Sequence, residues 1–155
     1  MSWVARYRAG DCEGVWRELV AAGPALRDDG GGWKEATEVA GELIGRAGRN
    51  VGRLHQALAQ SGYRFDLGDA ALTPPQPDID ERIAEVERTV GPMAVAVRVW
   101  LQEIGNVNLT GSHPLWSFQY GDPLVVECAI QDVVEEYEDR KHVGWFELAG
   151  TDRFP

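Results

Sequence analysis

The dipeptide Gly91-Pro92 lies between two helical patterns and constrains this chain more than any other feature. Before it, Ile79 to Val90 carries Ile83, Val86, Glu87 and Val90 on or near one helical face. After it, Met93, Val95, Ala96, Val97, Val99, Trp100, Leu101 and Ile104 are apolar almost all round, the pattern of a central helix packed on more than one side. Proline breaks a helix interior but fits a first turn. One helix must therefore end at Gly91, and a second is expected to open with Pro92 in its first turn. Gly105-Asn106 closes that second helix. Val107 and Leu109 then alternate with Asn106, Asn108 and Thr110, which is the period of a strand.

The N-terminal half reads as helical. Asp11 is a good N-cap for a helix reaching Ala22, with Val15, Trp16, Leu19 and Val20 as its apolar face. Gly23-Pro24 stops it, and Arg27 to Gly32 has the composition of a surface loop. From Trp33 to Ser61 a long helix is expected, with Ala40, Leu43, Ile44, Ala47, Val51, Leu54 and Leu58 on one face and Gly62 as its terminator. A second stripe, Gly41, Gly45, Gly48 and Gly52, shares this helix. Each interior glycine costs about 1 kcal/mol against alanine. Either another helix approaches closely along the stripe, or it is compositional drift.

Tyr63 to Phe65 is expected as either a short strand or an anchoring hook. Leu67 to Asp78 contains Pro74, Pro75 and Pro77 and reads as a linker. Leu124 to Val126 is expected as a second strand, Ile130 to Arg140 as an acidic helix, and Val143 to Leu148 as a third strand. The expected organisation is a helical region over 1–66, a Pro-rich linker over 67–78 and an α+β unit over 79–155. The fold class is α+β: a helical N-terminal layer followed by a small, mainly antiparallel sheet packed against helices.

Charge narrows the partners. Over 155 residues the net charge is −10, and Lys34 and Lys141 are the only lysines. Nucleic-acid binding depends on basic side chains displacing counterions, so no nucleic acid is expected, and anionic membrane surfaces are disfavoured for the same reason. The longest apolar runs fall far short of the roughly 20 residues of a membrane span. MSWVARYRAGDCEG has no apolar signal region, so a cytoplasmic protein is expected. A basic protein partner would be attracted at long range.

Catalytic and metal patterns give little. His55, His113 and His142 have no second ligand at metal spacing, and Cys12 and Cys128 are isolated thiols, expected as half-buried or buried small hydrophobes. Asp78, Asp80 and Glu81 open a helix, where carboxylates favour the dipole. No cofactor, metal or catalytic residue is assigned. Two surfaces remain as partner-binding candidates. One is the acidic run Glu127, Asp132, Glu135, Glu136, Glu138 and Asp139, which is either a solvated face or a steering surface; Ile130, Val133, Val134 and Tyr137 are expected to face inward beside it. The other is the alternation Trp116, Phe118 and Tyr120, whose shared face is either core or a binding surface.

Ile83, Glu87, Gly91-Pro92, Trp100 and Gly105-Asn106, followed by Leu109 and Gly111, together resemble the SUKH superfamily, the α+β domain of many bacterial immunity proteins. Asp122 to Val126 is similar to that family's next strand, and the resemblance spans about residues 79–148. Two departures stand out. The turn reads Gly-Asn where the family more often has Asn-Gly or Gly-Gly, and the family's later strands have no counterpart before Pro155. A shortened C-terminus of this kind leads to the expectation of self-association through an open sheet edge.

The resemblance implies a non-catalytic protein-binding module, an immunity protein that neutralises a polymorphic toxin domain by occlusion. The alternatives are a small-ligand-binding domain or enzyme using the Trp116 to Tyr120 region, or a degenerate copy without activity.

Overall fold

The computed structural model describes residues 2–116, 123–127 and 130–142. Its N-terminal layer starts with an element the periodicity did not show, the short helix α1 (Trp3–Arg8), because six residues are too few to reveal a repeat. Ser2 caps it, Oγ accepting from the Ala5 amide. Helix α2 (Cys12–Ala22) begins at its Asp11 cap as expected. Its stripe is narrower than the sequence suggested: Val15 and Leu19 are buried, but Val20 is 76% exposed.

After a tight 3-10 turn at Gly23–Arg27, helix α3 (Gly30–Ser61) runs the length of the layer. The glycines expected in a loop, Gly30 to Gly32, form its first turn instead. Asp29 makes this possible: its carboxylate accepts from Gly31 N at 3.1 Å and its carbonyl from Trp33 N at 2.8 Å. Ala36, Val39, Ala40, Ile44 and Val51 are buried along α3, whereas Leu54 is solvent-facing. The helix ends at Gly62, with φ of 92°. The glycine stripe is used in part. Ile104 lies over Gly48, where a Cβ would meet it at 3.4 Å, while a Cβ on Gly52 would meet nothing.

Part of the segment expected as a linker, Leu72–Thr73, is built into the sheet. A 3-10 turn at Gly68–Ala71 leads into β2 (Leu72–Thr73), which pairs antiparallel with β3 (Asn106–Asn108), Leu72 opposite Val107. Strand β3 pairs in turn with β5 (Val125–Val126), giving the order β2-β3-β5. A second antiparallel pair joins β1 (Arg64–Phe65) to β4 (Gly111–Ser112). Prolines exclude helix but leave extended chain free to pair just before them. Ala71 is fully buried, so 67–78 marks a change of composition and not a gap in the core.

Three helices complete the fold: α4 (Ile79–Thr89), α5 (Val95–Glu103) and α6 (Ile130–His142). Helix α5 is central, as its apolar composition implied. Val99 packs with Ala40 and Ile44 of α3, and Leu101 packs with Ile83 and Val86 of α4 and Ile130 of α6. Trp100 and Ile104 close over Val51, Val107 and Leu109.

Three further expectations need correction. Pro92 lies outside α5, because Met93 is tied elsewhere: its amide donates to Glu87 at 3.3 Å and its carbonyl accepts from Arg27 at 2.8 Å. Val90 and Val133 face solvent; Ile130 and the half-buried Val134 carry the inward face of α6. Trp100, which a helix apolar all round is expected to bury, is only half-buried. The expected strand Val143 to Leu148 lies outside the described residues.

Candidate functional site

Helices α4 and α6 lie side by side, with a groove between them of about 600 Å³. Its floor is apolar, formed by the buried Val86 and Ile130 and the half-buried Val134. Its walls carry four carboxylates, Asp78, Glu81, Glu85 and Glu135, against the two guanidiniums of Arg82 and Arg88. Asp78 and Arg82 pair at 2.8 Å, one turn apart, and that hydrogen bond is the main reason the Asp78 carboxyl sits below the usual carboxylate range. Glu81, Glu85 and Glu135 are exposed.

Of the acidic run, Glu135 lines the groove, and Glu136 and Asp139 lie exposed on the same helix with Glu138 half-buried. Glu127 accepts from the Asn108 side chain at 2.5 Å at the sheet. The Asp132 side chain lies outside the described residues. Glu81 lies on the groove wall beyond its expected capping role, and Glu85, for which no role was expected, lies beside it. The signal was present in the spacing: Asp78, Glu81, Arg82 and Glu85 recur at three and four residues and share a face.

The aromatic candidate divides. Trp116 is 51% exposed but held in place, stacked on His113 with centroids 4.6 Å apart and tilted against Tyr63 at 5.7 Å. The chain of rings continues from Tyr63 to Phe65 and on to His55. Tyr63 donates to Leu109 O at 3.0 Å, and burial, followed by the Asp66 charge, pushes its hydroxyl pKa up. His113 bridges Ser61 O at 2.7 Å and Leu115 N at 3.1 Å, so the donor to its Nδ1 is a backbone amide. These rings anchor the turn after β4. Phe118 and Tyr120 lie outside the described residues.

Glu87 is the third notable group. Its side chain is 15% exposed and takes Arg27 on one oxygen and Arg98, at 2.8 Å, on the other. Burial pushes the Glu87 carboxyl up, but the Arg27 hydrogen bond and the charges of Arg98 and Arg27 outweigh it, so the net direction is downward. Among the described residues, no group of three or more His, Cys, Asp or Glu converges to hold a metal ion, and no helix is long and apolar enough to cross a membrane.

The fold and grooves thus define an α+β protein with a small antiparallel sheet packed against helices. No family model, curated protein or solved structure matches the chain.

Proposed function

We propose that this chain is a non-catalytic protein-binding module whose α4–α6 face receives a basic partner. The observation that carries the reading is the groove itself, with an apolar floor of Val86, Ile130 and Val134 under walls bearing Glu81, Glu85 and Glu135. Lysine and arginine side chains suit such a surface, since their aliphatic stems cover apolar area while their charged ends meet carboxylates. Carboxylates along a rim act chiefly on association rate and partner choice. The resemblance of residues 79–148 to SUKH domains supports a toxin domain as the partner, neutralised by occlusion.

The test pairs the chain with toxin domains encoded beside its gene, measuring protection in co-expression and association kinetics with purified partner. Glu81→Lys, Glu85→Lys and Glu135→Lys combined should abolish protection and slow association steeply at low salt. At about 1 M salt, where fields are screened within about 3 Å, the difference should shrink. Undiminished protection by the triple variant would reject this face.

A further inference from the structure

A separate cavity of about 440 Å³ opens between α2, the Gly23–Arg27 turn, the start of α3 and the segment leading into α5. That volume falls within the roughly 300–1,000 Å³ of small-molecule sites, which are mostly apolar with a few fixed polar groups. Trp16, Leu19, Leu26, Trp33, Met93 and Val95 supply the apolar wall. Arg27 is the one charged residue among the described lining residues.

Arg27 is held before any ligand arrives. Its Nη2 donates to Glu87 and to Met93 O, and its guanidinium lies over the Trp33 ring at 4.5 Å. Both hydrogen bonds use the same nitrogen, which leaves Nε and Nη1 without a hydrogen bond among the described residues. The charge count around it does not close. Two guanidiniums, 26% and 25% exposed, share the single Glu87 carboxylate, so this half-buried triad keeps one positive charge. In a chain of net charge −10 that local excess stands out. A half-buried positive charge left over in this way favours a balancing anion from outside the triad. The start of α5 borders the same cavity, and neither a side-chain cap nor a first-turn acid offsets its positive end.

We propose that this cavity binds a small organic anion, a carboxylate with an apolar or aromatic body, its head on Arg27 and its body between Trp16 and Trp33. The carboxylate closes the charge count of the Arg27–Glu87–Arg98 triad, and the body displaces water from the apolar wall. This site is independent of the α4–α6 groove.

The probes are phenylacetate and octanoate, each compared with its neutral isostere, phenylacetamide and 1-octanol. Binding is read by NMR shifts of the Trp16 and Trp33 indoles and the Ala94 to Ala96 amides. The acids should bind about tenfold or more tightly than the neutral isosteres, as expected for a charge-assisted pair. Arg27→Met keeps the apolar stem and should erase that ratio. If it unfolds, Ala96→Leu, which fills the cavity without touching the triad, should weaken both acids. Absence of shifts at these positions would overturn the proposal. Equal affinity for acid and neutral isostere would overturn it as well, marking an apolar anchor pocket with no anion preference.

Discussion

Trp100 and Gly105 are joined twice: the indole Nε1–H donates to Gly105 O at 2.8 Å, and the Gly105 amide donates back to Trp100 O at 3.1 Å. This reciprocal pair ends α5 and aims the chain into β3. Gly105 holds φ of 80°, and a Cβ there would collide with the Thr73 carbonyl oxygen and the Pro74–Pro75 backbone. One turn therefore fixes the central helix, the middle strand and the proline segment together.

Gly105→Ala should be severely destabilising. The left-handed conformation alone costs a non-glycine residue about 1–2 kcal/mol, and the added methyl meets backbone that has no rotamer to yield. A loss above about 2 kcal/mol in denaturant melts is expected. Gly52→Ala makes the opposite prediction: its space is open and it lies inside α3, so a gain of up to about 1 kcal/mol is expected.

Trp100→Phe keeps most of the packing on Val51, Val107 and Leu109 but removes the indole donor. The cost should be about 1–2 kcal/mol, a lost hydrogen bond plus partial cavity. Amide exchange at Gly105 and Val107 should accelerate more than exchange in α3, since the α5–β3 turn is what loosens.

Stability should fall in acid, in part through Glu87. Its carboxyl titrates lower in the folded chain than in the unfolded one, where the value is about 4.3. Its contribution is therefore fully present above that unfolded value and is lost as pH falls through the lower folded value. Glu87→Gln should reduce stability at pH 7 and flatten the stability profile below about pH 4.3. Denaturant melts across this range check both effects. Asp78 acts in the same direction, but its exposed pairing makes a smaller contribution.

Lysine substitutions at Glu81, Glu85 and Glu135 should leave the fold intact, since exposed replacements usually shift stability by about 0.5 kcal/mol or less. An unchanged melting profile alongside lost partner association would separate the binding role of the groove from its structural one.

The sequence alone determined the five longer helices to within a few residues, the breaks between them and the α+β class, but not the short α1. Periodicity is a local signal; Asp11 acts as a local start, and Gly62, Gly91 and Gly105 as local stops. It also showed that α5 is central, because a helix apolar all round must be covered on several sides. Tertiary structure decided what needs distant partners. Met93 is tied by Arg27 and Glu87, which excludes Pro92 from the helix. Val107 draws Leu72 into the sheet, so part of the expected linker is a strand. The acids of α4 join Glu135 only because Val86 and Ile130 pack those helices together. The Arg27–Glu87–Arg98 triad spans 71 residues between Arg27 and Arg98, a separation at which no local pattern can reveal a charge left unbalanced.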